Sequence, residues 1–408
     1  MVLRIEDTDR QRSEEHFTGA ILDSLEWIGI EGYEGPHYQS QSLEHYREAA
    51  ERLIGSGAAY WDEDPEKGRA VKLLMHDDLV EVADMIHGTV EFDASLADDF
   101  VIMKSDGYPS YNFACVVDDH RMGITHVIRG DEHLSNMPRQ IALYDALGFQ
   151  RPRFAHIPMI LGPDGVKLSK RHGATSVGEY RRQGYLSEAL VNFIALLGWS
   201  PGDGREIMSL EEMAAAFTIE RVRKVPSQFD HEKLQWMNGQ YIMRLDPDRL
   251  AAEMADFFAA NGIDISGRSA DWMRNFVAAY RERMKTLKDG LDASRFIFDD
   301  SIEYDAAAVR KVLGREGAIE RLSDLREVLS GDYDWTVENI EMRLRSYCEK
   351  VNVGFGKVAQ PLRVAITGGM VSPPIFETLY LVGRKRALRR IDVILSGSAE
   401  ALEEGRET

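Results

Sequence analysis

Ile124–Gly173 reads ITHVIRGDEHLSNMPRQIALYDALGFQRPRFAHIPMILGPDGVKLSKRHG. The apolar run Ile124 to Ile128 predicts a buried strand. After Asn136, Met137 to Leu147 repeats its apolar residues at helical spacing and predicts a helix. Ile157 to Leu161 predicts a second strand, closed by the turn signal Gly162-Pro163-Asp164-Gly165. Strand, helix and strand in alternation argue for a parallel α/β sheet.

Upstream, Val2, Leu3 and Ile5 predict a short strand that runs straight into Glu6-Asp7-Thr8-Asp9. Phe17, Ile21, Leu25 and Ile28 fall near one face of a helix over 13–28. A second helix, Leu43 to Ile54, is stopped by Gly55-Ser56-Gly57. Residues 60–110 are mixed, with strand-like pieces at Thr89 to Phe92 and Phe100 to Met103. Phe113 to Val117 is a further apolar stretch, read as core with strand-end polarity around it. Beyond about residue 180 strand signals stop. Helices are predicted at Leu186 to Leu197, Leu210 to Phe217, Glu232 to Met237, Leu250 to Ala260 and Asp271 to Thr286. From Ala306 onward the chain is again helical, with breaks at Gly331 and from Gly368-Gly369 to Pro373-Pro374.

The 408 residues are 44% apolar and 29% charged, enough to bury real cores, which excludes a disordered chain. The net charge of −19 disfavours non-specific binding to nucleic acid or an anionic membrane, but leaves room for a local basic patch. Two cysteines, Cys115 and Cys348, cannot build a disulfide framework or a four-thiolate zinc site. No apolar run approaches the ~20 residues of a spanning helix. The acidic N-terminus does not read as a signal peptide. These features predict a cytoplasmic, multi-domain protein.

Six places are candidates to carry chemistry. In Lys167-Leu168-Ser169-Lys170-Arg171-His172-Gly173, cations gather after a tight turn at the end of an α/β unit, where ligands of such sheets bind. Lysines on such a loop reach nucleotide phosphates, and a serine hydroxyl bonds a phosphate oxygen; the plain alternative is a solvated basic loop. Glu6, Asp7 and Asp9 can hold an ammonium or a metal, or simply decorate a helix N-terminus. Arg129, at a strand end, can grip a carboxylate bidentately or pair with Asp131 or Glu132. Tyr111 and Asn112 can hydrogen-bond a small polar ligand, and Asp118 and Asp119 lie close by. Cys115 reads as a small buried hydrophobe. Two basic runs, Arg281 to Lys288 and Gly383 to Arg390, either contact phosphates or form solvated helix faces.

Together these stretches resemble the bacterial glutamyl-tRNA synthetases. VLRIEDTDRQRS, SDGYPSYNFACVVDDHRMGITHVIRGDEHLSNMPRQ, KLSKRHGATSVGEY, FDHEKLQWMNGQYI and GKVAQPLRVAITGGMVSPPIFETLYLVGRKRAL look like family blocks in family order, from residue 2 to about 392. Lys167 to Arg171 is similar to the family's Lys-Met-Ser-Lys-Ser-type signature. The resemblance implies a Rossmann-type catalytic α/β domain, over 1–60 and 111–180, with a shortened connecting insertion at 61–110. A helical stem-contact region at 181–300 and a helical anticodon-binding region at 301–408 would follow. It implies a class I ligase that makes glutamyl-adenylate from glutamate and ATP, with magnesium, and passes glutamate to the tRNA 3′ end.

By the same resemblance Glu6, Tyr111 and Arg129 bind glutamate, Lys167, Ser169 and Lys170 are catalytic, and Lys170 and Arg171 bind ATP. Arg384, Lys385, Arg386, Arg389 and Arg390 would touch tRNA, and the protein would be a monomer. The family's cysteine cluster is absent from the connecting segment, so no zinc is expected, and no protein metal ligand is assigned. The His-Ile-Gly-His-type block that precedes VLRIEDTDR in the family is also absent. That absence implies a truncated catalytic domain whose activity is in question, the alternative being a non-catalytic tRNA-binding relic or regulatory protein. The helical C-terminal third argues against the tRNA-modifying paralogue and against glutaminyl-tRNA synthetases, whose C-terminal end is built of β-barrels.

Overall fold

The computed structural model describes residues 2–8, 15–66, 68–75, 79–93, 98–169, 171, 173 and 176–397. They form two compact units, residues 1–182 with 187–237 and residues 183–186 with 238–408.

The first unit starts with β1 (Val2–Ile5), α1 (Glu15–Trp27), β2 (Glu34–Tyr38) and α2 (Leu43–Gly55). Five strands follow: β3 (Ala59–Asp64), β4 (Gly68–Leu73), β5 (Leu79–Asp84), β6 (Gly88–Asp93) and β7 (Phe100–Met103). Next come α3 (Tyr111–Arg121), β8 (His126–Gly130), α4 (Met137–Leu147), β9 (Arg153–Ile157) and the short β10 (Ile160–Leu161). The unit continues through α5 (Val177–Arg182), α6 (Ser187–Gly198), α7 (Leu210–Ala216) and β11 (Ser227–Gln228) into α8 (His231–Arg244), within which the division between units falls.

Strands β8 and β9 pair in parallel, Val127 opposite Phe154 and Arg129 opposite His156. Strand β9 pairs in parallel with β5 through Asp84 and Phe154, and β5 turns back on β6, so this sheet runs β6-β5-β9-β8 and is mixed. Strands β1 and β2 form a separate parallel pair, and β3, β4 and β7 an antiparallel sheet. Helices α2, α3 and α4 supply the main core: Tyr46, Leu53, Phe113, Val117, Ile141 and Tyr144 pack with Leu73, Ile102 and Phe154. Helix α4 begins with Pro138 in its first turn and ends at Gly148 in the left-handed conformation, both strong boundary signals.

Several sequence expectations change. Phe113 to Val117 is helical, inside α3, and buried on nearly every side. A five-residue apolar run carries no periodicity that separates strand from buried helix. The strand expected at Ile124 to Ile128 lies at His126–Gly130, at the edge of its sheet, and Ile128 is 51% exposed where it lines open pockets. Ile157 to Leu161 is two strands, divided at Pro158, which has no N–H to give a ladder. The helix expected over Asp271 to Thr286 ends at Tyr280. Thr286 instead caps the next helix, its hydroxyl accepting from Asp289 N while the Asp289 side chain returns to Thr286 N.

The second unit is helical: α9 (Pro247–Ala260), α10 (Ala270–Tyr280), α11 (Leu287–Phe298), α12 (Ala306–Val312) and α13 (Ala318–Ser330), then α14 (Val337–Lys350), α15 (Gly356–Thr367), α16 (Ile375–Val382) and α17 (Arg384–Leu395). Among the described residues no strand follows Gln228. Its core gathers Met254, Phe258, Phe276, Leu322, Leu344, Leu362, Leu379 and Ile391, all buried. Gly184 returns to this unit, accepting from Leu287 N at 2.8 Å; its φ is +79° and an added Cβ would sit 2.6 Å from Lys288 N, so only glycine fits.

Candidate active site

Strand β1 and helix α3 build one wall of a polar pocket of about 320 Å³, and β8 builds the other. Arg4 comes from β1 and Glu6 from just beyond its end. Tyr111, Cys115 and Asp119 come from α3 at successive four-residue steps, which place them on one helix face. Arg129 comes from β8. The structure therefore brings Glu6, Tyr111 and Arg129, far apart in sequence, to one pocket.

Each is held by identifiable partners. Arg4 Nη1 donates to Asp119 Oδ1 at 2.8 Å and Nη2 to Glu6 Oε1 at 3.2 Å. The Cys115 thiol donates to the same Glu6 oxygen at 3.3 Å. Burial and the neighbouring Glu6 carboxylate push that thiol well above its ordinary range, so it stays a neutral donor. Cys115 is thus buried, as expected, but it is also part of the pocket. Burial likewise raises the Tyr111 phenol, whose hydroxyl remains protonated. Asp7 turns away: it accepts from Ser40 N at 2.8 Å and Ser40 Oγ at 2.5 Å and has a structural job. Asp9 lies outside the described residues.

Arg129 resolves an alternative left open by the sequence. Asp131 meets His87 Nε2 at 2.9 Å, and Glu132 accepts from Lys167 Nζ at 2.9 Å, so neither is its partner. Arg129 Nε donates to His156 Nε2 at 3.1 Å, and Nη2 reaches Met137 Sδ at 3.0 Å. Among the described residues no carboxylate stands within ion-pair distance of its guanidinium. A guanidinium that lines a pocket and has no carboxylate paired to it suits an anionic ligand.

The Lys-x-Ser-Lys loop is anchored on both sides. Lys167 bonds Glu132, three residues after Arg129, and that bond is the main reason the Glu132 carboxyl sits below its usual range. Arg171 Nη2 pairs with Asp164 Oδ2 at 3.0 Å across the preceding turn. Ser169 is half-buried. Lys170 and His172 lie outside the described residues. A larger cavity of about 480 Å³, lined by Ile157, Ile160, Val191, Trp199, Met213 and Phe217, is apolar and offers a charged substrate no partners beyond Arg223 and Ser227.

The basic run on α17 divides by helix face. Arg390 is 3% exposed: Nη2 donates to Phe296 O at 2.6 Å and Asp299 O at 2.7 Å, and Nη1 to Ile366 O. It caps the C-terminal ends of α11 and α15, whose last carbonyls have no partner within their helices. Burial lowers its guanidinium to about 10. The expectation that Arg390 contacts tRNA therefore gives way to a core role. Arg386 also caps α11, through Ile297 O and Phe298 O, and shares Asp300 with Arg389. Arg384 donates to Tyr333 O and lies over the Tyr333 and Trp335 rings. Lys385 and Arg389 are exposed.

Sequence comparison matches residues 1–69 and 69–236 to the catalytic domain of class I tRNA synthetases for E and Q, and residues 249–395 to an anticodon binding domain. Glutamate–tRNA ligase 2 of Thermoanaerobacter pseudethanolicus is 40% identical, over 96% of this chain and 90% of its own. Glutamate–tRNA ligase 1 of Alkalilimnicola ehrlichii is 42% identical, over 97% and 90%. Among solved structures, a glutamate tRNA ligase from Elizabethkingia meningosepticum, in complex with its amino acid, superposes with a TM-score of 0.81 at 29% identity, covering 97% of this chain and 92% of that one.

Proposed function

We propose, for a chain that belongs to the glutamate–tRNA ligases of the class I aminoacyl-tRNA synthetase family, the following division of the reaction among its residues. Arg129 grips the side-chain carboxylate of glutamate, Glu6 meets its ammonium, and Tyr111 closes the pocket over the chain between them. The α-carboxylate must stay free, because it is the group that attacks the α-phosphate of ATP. A bidentate grip on it would quench the nucleophile. Lys170, with its sequence neighbours Lys167, Ser169 and Arg171, stabilises charge that builds on the departing pyrophosphate. The tRNA 3′-terminal ribose hydroxyl then attacks the adenylate carbonyl and releases AMP. The observation that carries the glutamate half is the meeting of Glu6 and Arg129 in one pocket, with no carboxylate among the described residues paired to Arg129.

Magnesium fits as a companion of the ATP phosphates, for which it has a strong preference. No group of three His, Cys, Asp or Glu converges among the described residues, and no protein cage is assigned to it. We further propose that no zinc is bound, since residues 61–110 contain no cysteine. Exposed Lys385 and Arg389, on a unit matching the anticodon-binding family, are proposed to meet tRNA phosphates. Both cysteines are free thiols, and no described helix is long and apolar enough to cross a membrane; a cytoplasmic monomer is the reading we adopt.

Glu6→Gln tests the ammonium contact. It keeps the side chain's shape and its place as an acceptor for Arg4 and Cys115 but removes the charge. The KM for glutamate in tRNA charging is expected to rise about tenfold, the worth of one charge-assisted hydrogen bond at roughly 1.5 kcal/mol. An unchanged KM would assign the ammonium to another group.

A further inference from the structure

Behind Arg129 stands a buried pair that the reaction, as described, does not use. His156 on β9 has no solvent exposure, and Asp84 at the end of β5 is 4% exposed. His156 Nδ1 lies 2.7 Å from Asp84 Oδ2, and the same oxygen accepts His156 N at 3.1 Å. The other oxygen, Oδ1, accepts Ile86 N and His87 N, each at 2.9 Å. On the far side of the ring, Nε2 lies 3.1 Å from Arg129 Nε.

The tautomer follows from these contacts. Burial pushes the Asp84 carboxyl up, but the N–H groups of His87 and Ile86 and the His156 ring together hold it below its usual range. An ionised carboxylate only accepts, so Nδ1 carries the ring proton and Nε2 presents a lone pair. The Arg129 Nε–H points at that lone pair. Burial and the Arg129 charge push the ring's own titration down, against Asp84 and Asp131, so it stays neutral where the enzyme works.

We propose that His156, fixed as its Nδ1–H tautomer by Asp84, is a positioning residue for glutamate: it takes the Arg129 Nε–H and leaves the Nη1 and Nη2 edge as the fork for the substrate carboxylate. The inference rests on the reading of Arg129 as the carboxylate grip. An arginine guanidinium offers a carboxylate two edges, Nε with one Nη or both Nη groups, because Cδ covers the third; Nη2 has a second N–H besides the one on Met137 Sδ. With Nε occupied, only the end-on fork remains. The device also extends the site to β5 and β9, so two strands of the sheet set the direction in which β8 aims its arginine.

Asp84→Asn makes a sharp test. Oδ1 stays fixed by two backbone N–H groups, so the amide NH₂ must take the place of Oδ2. It then donates to Nδ1, the proton moves to Nε2, and two N–H groups face one another at Arg129. The expected results are a switch of the His156 ¹⁵N pattern to the Nε2–H tautomer and a glutamate KM raised about tenfold or more, with kcat within about threefold. His156→Leu, which removes the acceptor, should raise KM similarly. His156→Gln, whose amide oxygen can stand near the Nε2 position, should recover most of the affinity. If Asp84→Asn does not fold, the contrast between Gln and Leu at 156 decides. Equal and near-normal KM values for both, or a switched tautomer with unchanged KM, would overturn the proposal. Arg129→Ala serves as the reference: if it too leaves KM unchanged, the reading of Arg129 has failed rather than the relay.

Discussion

Arg129→Ala is expected to lower kcat/KM for glutamate by ~10³-fold, about 4 kcal/mol at ~1.4 kcal/mol per factor of ten. Two charge-assisted hydrogen bonds from one guanidinium edge, at roughly 1.5–3 kcal/mol each, account for a loss of that size. Most of the loss should appear in KM, because the contact is made before and during the chemistry alike. Selectivity should fall as well. Glutamine lacks the charge that Arg129 recognises, so the ratio of kcat/KM values for glutamate over glutamine should drop towards one. Arg129→Lys restores the charge but not the planar fork, and should recover only part of the loss. The measurement is steady-state tRNA charging with each amino acid. A variant that keeps its preference for glutamate would remove Arg129 from the recognition of the side chain.

Lys170→Ala is the second large effect, and it should fall on the other kinetic parameter. In sequence this lysine stands between Ser169 and Arg171, and Arg171 pairs with Asp164 across the preceding turn. Its charge is needed most when pyrophosphate departs, and contacts of that kind contribute about 10²–10³-fold to kcat. The adenylate-forming rate is expected to fall ~10²-fold or more while glutamate KM changes little. Pyrophosphate exchange, which reads the first half-reaction alone, separates this from an effect on transfer. A normal exchange rate in a folded variant would reduce the loop to a solvated basic surface.

The glutamate residues were legible in the sequence as isolated acids, a tyrosine and an arginine, each with a plain alternative. What could not be read was the company they keep. Tyr111, Cys115 and Asp119 share a face only because α3 is a helix, and the apolar run between them masks its own period. The four-residue spacing of the three polar positions was the available signal. Arg4 was hidden for another reason: its partner Asp119 is 115 residues away, and no local pattern reports such a pairing. Asp84 and His156 likewise meet only because β5 and β9 are neighbours in the sheet.

The basic run of α17 shows the opposite error. Five cations within residues 384–390 look like one charged surface, yet a helix turns successive residues to different sides. Arg390 follows Arg386 by one turn and precedes Ile391 and Ile394, which are buried. It faces inward, where the free carbonyls of α11 and α15 receive it. A charge count cannot distinguish an arginine that meets a polyanion from one that caps a helix. The helical phase of its apolar neighbours can.

We propose that the pocket between β1, α3 and β8 holds glutamate by its two ends. A crystal structure of the protein with L-glutamate tests it most directly. The side-chain carboxylate is expected on the Nη1 and Nη2 edge of Arg129, at about 2.7–2.9 Å. Arg129 Nε should remain on His156, and the substrate ammonium should lie within hydrogen-bond reach of Glu6. Glutamate bound elsewhere, or bound in this pocket with the Arg129 edge facing no carboxylate, would contradict it.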